Sequence, residues 1–535
     1  MIMRYLILIF FAFGLSHLQA QEVKVKAGPP YRVIDASHKL YFYERGEVMT
    51  VKVDDRLIYI QRFDVNMKFK TQREYKDLPK NAAIERIAEH NGSYYLFYSL
   101  WNRSRREEEL YYREIHFADG TMDKQAKKLL SAKGKISGTV TGQGFRLIVQ
   151  NKFDFQYSHD QAKLLVQYRK VPEFKRDKKS HDIIGMHVFG RYFNPIWSRE
   201  VEMPYTEKMM NNLDYSVDTD GNAYVLAMVY NDKTTDSKWS NEGSPNYHVE
   251  LLSTNGANKE IKSSHITLQD KFINSLSLFE SSPDYMICAG FYNDGKKLRD
   301  TDGIFACKIR KGGEVYDKNS IEVPLELINQ NESKRAAKKN TKKEIEKEDE
   351  TAVIPNLYFD YANAQADGST VLVGEQFDVQ TYTSYVNGRS SSRTVLNYGD
   401  IMVVKISPEG KLGWIKKVPK RQAGTNQIGS MSYSYFHGGT KHHFIFLDTD
   451  ANKDLADDKV PAVSGNGGTG LFTDYIIDDT TGEMKRLNLF HTDNADNLRA
   501  YQLTPTRAVQ SADNEFIVEV YKKKKEDVLL RVEIE

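Results

Sequence analysis

Several short stretches bring together side chains that could do chemistry. The first is "DTDGNAYVLAMVY", residues 218–230. Its opening resembles the start of a Ca²⁺ loop, but such a loop needs further oxygen ligands after its glycine. Here an apolar run follows Gly221, with Tyr224, Leu226 and Met228 on one side and Val225, Ala227 and Val229 on the other. Asp220-Gly221 therefore reads as a hairpin turn, since glycine takes up positive φ at no steric cost. The run after it reads as a strand buried on both faces. A better Ca²⁺ candidate is "DTDANKD", where Asp448, Asp450, Asn452 and Asp454 alternate as hard oxygen ligands. Lys453 stands where the loop glycine belongs, and Lys459 where a closing glutamate belongs.

Three other motifs promise less. "GNGGTG" (465–470) satisfies G-x-G-x-x-G, but "LFTDYIID" after it reads as a strand, and a phosphate cradle needs a helix there. "FHGGTKHHF" offers His437, His442 and His443 without a G-x-S-x-G elbow or an H-E-x-x-H. His442 and His443, adjacent on a strand, point to opposite faces and cannot share a metal. The segment "TYTSYVNGRSSSRTVLNYGD" (381–400) interleaves Tyr382, Tyr385, Arg389, Arg393 and Tyr398. These residue types anchor protein interfaces, and aromatic faces also stack on sugars, so a loop here is the candidate binding surface. Paired acids for glycoside cleavage cannot be chosen by spacing among 73 Asp and Glu. Apart from the Ca²⁺ candidate, no cofactor is called for.

The elements that position these residues follow from composition and turn spacing. Hydrophobic residues make up 40% of the 535 and aromatics 12%, as in a globular chain rich in strands. A net charge of +2 gives no long-range field for nucleic acid. "MIMRYLILIFFAFGLSHLQAQEVK" has a basic start, a short apolar core and a small-residue exit, and reads as a secretory signal peptide over residues 1–20. No later segment approaches transmembrane length, so the mature chain is expected to be soluble and exported. The two cysteines, Cys288 and Cys307, flank "NDGKKLRDTD". In a hairpin closed there they fall nearly opposite one another, either as a disulfide or as a pair of buried thiols.

The turn-then-strand phrase recurs in "EHNGSYYLFYSL" (89–100), "QADGSTVLVGE" (365–375) and "SADNEFIVEV" (511–520), and more loosely in "TGQGFRLIVQ" and "HGGTKHHFIFL". A second class of turn, as in "SPEGKLGWIKKVP" and "DTTGEMKRLNLFH", leads into strands mixed with Lys and Glu, as outer strands would be. Paired turns describe four-stranded antiparallel units. They start near Lys39, Ile84, Lys135, Leu213, Phe272, Leu357, Ser432 and Tyr501. The expected fold is all-β, a single β-propeller of seven to eight blades over residues 21–535, with two β-sandwich domains as the alternative. The last unit lacks an outer strand, which "QEVKVKAGPPYRV" near the N-terminus could supply as a latch.

The long segments Phe155–Asp182, Asn231–Asn246, Asn293–Asp302, Phe377–Tyr398 and Asp448–Gly470 mostly belong to the connections between second and third strands or from one blade to the next, and so decorate one face. The Lys/Glu-rich arm at 325–355 extends that face, and is expected to be a solvated helix too charged to pack.

The leader ending "LQAQE", the phrases "DTDGNAYVLAMV" and "QADGSTVLVGE", and "GDIMVVKISPEGKLGWIKKVP" together resemble exported β-propeller proteins of Bacteroidetes-type bacteria. The resemblance implies a periplasmic location, with an extracellular one second. It also implies a role beside outer-membrane assemblies, including type IX secretion and uptake channels. The functional expectation is a non-enzymatic propeller that binds a protein partner, such as an outer-membrane protein. The alternatives are a carbohydrate-binding or carbohydrate-cleaving propeller and a purely structural envelope protein.

Overall fold

In the computed structural model, Asp218 holds the turn that opens "DTDGNAYVLAMVY". Its Oδ1 accepts the backbone N–H groups of Asp220 and Asn222, and its Oδ2 accepts the Tyr224 hydroxyl at 2.7 Å. Gly221 has a φ of +82°. The strand that follows, Ala223–Tyr230, is buried along its whole length. Leu226 and Met228 pack toward the next sheet in the chain, and Val225, Ala227 and Val229 toward the preceding one. Both faces are covered, as the apolar run requires. The structure describes residues 23–535 except 144–145, 173–179, 233–237, 239, 241–242, 258–259, 267–270, 295–298, 347–351, 387–388, 426–429, 457–458 and 466–468. The leader read at residues 1–20 lies outside the described residues.

The described chain forms a β-propeller of eight antiparallel blades. Their inner strands begin at His38, Ala83, Asp154, Met210, Phe272, Leu357, Ser434 and Gln502. Inner strands of neighbouring blades approach one another, while outer strands such as Phe69–Tyr75 and Val315–Glu322 are mostly exposed. Eight apolar clusters lie at the seams, one between each adjacent pair of blades. The eighth joins Ile517 and Leu529 of blade eight to Val48 and Phe63 of blade one and closes the ring. A blade buries its two faces only against its neighbours, so the fold holds as a circle of mutual burial.

Blade eight takes its fourth strand from the N-terminal segment. Val23–Ala27 pairs antiparallel with Glu526–Ile534, from Val23 opposite Ile534 to Ala27 opposite Leu530. The latch read from the sequence is therefore present.

Three expectations change. Blade three starts at Asp154, not near Lys135. The "TGQGFRLIVQ" stretch belongs to a separate two-stranded ribbon, Thr139–Gln143 with Arg146–Gln150, between blades two and three. Within Phe155–Asp182, the residues up to Tyr157, Lys163–Arg169 and the last two are then blade strand rather than loop. The segment at 381–400 is not a loop either. The second and third strands of blade six, Thr370–Val386 and Arg389–Ile406, pair from Thr370–Ile406 out to Val386–Arg389. Alternating Thr, Tyr, Val and Ser residues extend the ladder because each turn-free step adds another cross-strand pair. Lastly, the arm packs in part. It holds two helices, α1 (Leu325–Asn329) and α2 (Lys334–Glu346). Ile328, Ala352 and Ile354 are buried in the seam between blades five and six, whereas α2 buries no residue.

Candidate functional site

On the decorated face the connections of blades five, six and seven are tied to one another. The connection after the second strand of blade five and the exit of the arm pair with each other, as Thr301 and Ile354 exchange backbone hydrogen bonds of 2.8 and 2.9 Å. The arm is pinned from the other side by Lys417, whose ammonium donates to the Gln330 carbonyl at 2.7 Å. The hairpin base is tied to the arm exit. Gln376 Nε2 donates to the Pro355 carbonyl at 2.9 Å, and Phe377 N–H to that of Asn356 at 2.9 Å. The third strand of blade six also pairs with Gln422–Gly424, which pairs in parallel with Ser464–Gly465 from the long connection of blade seven. Blade seven's connection is thus welded to blade six. The same connections in blades one, two and eight are tight turns at Asp55, Arg106 and Lys524.

Beyond Gln376 the hairpin leaves the blade as a two-stranded ribbon. Among the described residues, Asp378–Val386 has a backbone partner on one side only. Tyr382 is 58% exposed and Val379 50%. Tyr382 and Arg393 are direct cross-strand partners, and Thr381–Thr394 and Thr383–Ser392 hydroxyl pairs line the ribbon. Tyr385 stands opposite Ser390, and Arg389 opposite Val386 at the tip. Tyr398 lies at the root instead. It packs on Phe377 at 4.8 Å, and Lys420 lies over its ring at 5.6 Å. The structure therefore places Tyr382, Tyr385, Arg389 and Arg393 on one projecting ribbon and separates Tyr398 from them as a packing residue.

Under the arm lies a cavity of about 180 Å³. Asp294, Asp302, Glu322 and Glu344 line it, with Lys271 and Tyr292. Lys271 pairs with Asp294 at 2.8 Å and lies over the Tyr292 ring.

The Ca²⁺ candidate does not assemble. The Asp448 carboxylate accepts the Asn452 amide at 2.7 Å and pairs with Arg486 at 3.1 Å. Asp450 pairs with His491 at 3.0 Å. The Arg486 guanidinium thus stands beside Asp448, and the Asn452 side chain is bonded to Asp448 and to the Ala462 backbone. Asp454 is exposed, and no described group of metal-binding side chains includes these four residues. Of "GNGGTG", residues 466–468 lie outside the described residues, and a strand, Leu471–Asp478, follows it. His442 bonds Asp479 at 2.9 Å and Tyr435, while His443 bonds Asp474 at 2.7 Å, so the two face opposite ways as expected.

Cys288 and Cys307 are direct cross-strand partners in blade five, and both are buried free thiols. Their mutual hydrogen bond, together with burial, holds the Cys288 thiol well above its ordinary pKa.

Carboxylates on the inner strands tie blade to blade. Glu85 accepts the Lys152 N–H ahead of blade three at 2.8 Å. Asp214 accepts Ser277 Oγ and Leu278 N–H of blade five, both at 2.7 Å. Asp360 accepts the Tyr433 hydroxyl ahead of blade seven at 2.8 Å, and burial pushes it up to about 6. Burial raises Glu85 and Asp214 as well. Perturbed carboxylates lining a ring would suit acid–base chemistry, but each of these is engaged by the neighbouring blade.

One cluster escaped sequence reasoning. His248, Glu250 and His265 of blade four bring their ligand atoms within 4.8 Å of one another. The H-x-E spacing in "YHVEL" was its only local trace, because His265 joins through cross-strand register.

No family model matches the chain, and no curated protein does. Among solved structures, the WD40 domain of SCAP from fission yeast overlays 96% of this chain and 94% of its own, with 8% identity and a TM-score of 0.37. The β-propeller domain of the Trilobed protease from Pyrococcus furiosus overlays 87% and 99%, with 10% identity and a TM-score of 0.33. A prolyl endopeptidase overlays 95% of this chain at 9% identity and a TM-score of 0.36, and this chain spans only 54% of it. The propeller assignment stands on the eight sheets and their eight seams.

Proposed function

We propose that this chain is a non-enzymatic binding propeller of the periplasm, whose decorated face docks a protein partner belonging to an outer-membrane transport or secretion assembly. The carrying observation is the projecting ribbon of blade six. It extends from the scaffold, exposes Tyr382 and Val379, and leaves one side of Asp378–Val386 without a strand partner among the described residues. An exposed strand edge is a template for strand addition by an extended partner segment, with side chains on alternate positions giving specificity.

The test is a pull-down from detergent-solubilised envelope with three folded variants. One replaces residues 379–395 by a tight turn, one carries Tyr382→Ala with Arg393→Ala, and one is altered at Asp119 and Asp220 on the tight-turn face. Loss of one membrane partner in the first two, with full recovery in the third, is the expected result. Equal recovery from all three, or loss only in the third, rules the reading out.

A further inference from the structure

We propose that His248, Glu250 and His265 form a binding site for a divalent transition metal of the Zn²⁺ type on the outer edge of blade four. His248 and Glu250 are two apart on the strand Tyr247–Thr254 and so project from the same face. His265, on the outermost strand Lys262–Ile266, stands directly opposite Glu250 in the register. His248 Nε2 lies 2.9 Å from Glu250 Oε1, and His265 Nε2 lies 3.6 Å from the same oxygen. A tetrahedral ion with bonds of about 2.0–2.1 Å holds its ligand atoms roughly 3.3 Å apart, between these two values. The imidazole rings stack at 5.0 Å with 8° between their planes, and the three ligand atoms lie within 4.8 Å of one another.

The surroundings are those of a supported ligand set. Glu250 is buried. Its Oε1 accepts the Tyr205 hydroxyl from blade three at 2.6 Å, and its Oε2 accepts Ser263 Oγ at 2.8 Å. These bonds fix the carboxylate while leaving a lone pair toward the imidazoles. His248 Nδ1 faces Asn231 Oδ1 at 2.7 Å, as the second nitrogen of a metal-bound histidine commonly does. Both nitrogens of His248 thus face oxygens, Nδ1 that of Asn231 and Nε2 that of Glu250. Two imidazoles and one carboxylate select a transition metal over Ca²⁺ or Mg²⁺, which take oxygen ligands. The His265 side chain is 64% exposed, which leaves the fourth position to water.

The experiment titrates Zn²⁺ into the metal-stripped full chain against a chromogenic chelator, with wild type, Tyr205→Phe, His265→Gln and the double variant His248→Ala/His265→Gln. His265 lies at the surface, so its variant folds, and circular dichroism confirms each fold. Wild type is expected to bind one tight equivalent. Removing the supporting hydroxyl in Tyr205→Phe weakens it roughly 10- to 100-fold, and the double variant loses it. Co²⁺ substitution gives the visible absorption of a low-coordinate site in wild type and not in the double variant. Absence of a tight equivalent in wild type, or an equivalent that survives in the double variant, overturns the site.

Discussion

Replacing Glu519 by Gln asks whether charge at the seam holds the ring closed. Glu519 lies on the second strand of blade eight, and its side chain is fully buried. Its carboxylate accepts Tyr31 at 2.5 Å and Tyr41 at 2.8 Å, and pairs with Lys52 at 2.5 Å and Lys39 at 3.1 Å. Lys39, Tyr41 and Lys52 belong to blade one, and Tyr31 to the segment just after the latch strand. Burial works against the Glu519 charge, but Lys52 and Lys39 hold it down to about 2. Counted singly at about 1.5–3 kcal/mol each, four bonds to a charge would total roughly 6–12 kcal/mol. That figure is too large, because the neutral amide in Glu519→Gln avoids the cost of burying an anion. Breaking one partner of a buried pair costs about 3–5 kcal/mol, chiefly through the stranded opposite charge. The second value governs here, since Lys52 is fully buried and keeps only Asp527, at 3.6 Å, as its counter-ion. Hydrogen exchange of the amides in Val23–Ala27 reads the effect locally. At tenfold per 1.4 kcal/mol, protection in Glu519→Gln falls roughly a hundred- to several-thousand-fold. Adding Lys52→Met removes the stranded charge and restores most of it. Less than a tenfold loss in the single variant, or a double variant worse than the single, refutes the reasoning.

Other consequences follow from the same geometry. Ile328→Ala opens a cavity in the seam between blades five and six and costs about 2–5 kcal/mol in urea unfolding, while deleting Lys334–Glu346 of α2, which buries nothing, leaves stability within about 0.5 kcal/mol. Burial pushes His442 down to about 4 against its pairing with Asp479. The unfolded imidazole therefore binds a proton between pH 6.5 and 4 that the folded one refuses, and stability falls as pH drops through that window by up to about 3 kcal/mol. A His442→Gln variant loses that slope in pH-resolved thermal melts. Because both thiols are buried, and Cys288 is also held well above its ordinary pKa, native protein at pH 8 resists alkylation at both cysteines, and denatured protein shows two reactive thiols by mass spectrometry.

Much of the ring was legible because the information is local. A Gly, Asn or Asp turn followed by a two-sided apolar run marks the second strand of a blade, and seven of the eight starting points fall within a few residues of the observed inner strands. The exception, near Lys135, arose because "TGQGFRLIVQ" has the right turn and the right strand for a blade but pairs into a separate ribbon. Nothing in its own residues distinguishes the two, since the choice depends on which distant strand is available. The missing outer strand of blade eight was also visible, because a four-strand count that ends at three demands a fourth.

What only the tertiary structure decided is everything carried by register. The inner strands of blades two, four, five and six each carry a one-residue bulge, at Glu85, Leu213, Asn274 and Asp360. A bulge turns a residue out of the alternation, which places Asp360 against Tyr433 of the next blade rather than in its own pleat. Sequence periodicity cannot show this, because the extra residue is defined only against its partner strand. The same limit hid the ribbon of blade six, whose polar alternation is that of a loop until the facing strand supplies its pairs. It hid the His248–Glu250–His265 cluster as well, with His265 fifteen positions beyond Glu250 and brought opposite it by a single register. Turn chemistry and apolar alternation are properties of neighbours in the chain and fixed the blades. Charge pairing, bulges and converging ligands are properties of neighbours in space, and those depend on how the blades close into a ring.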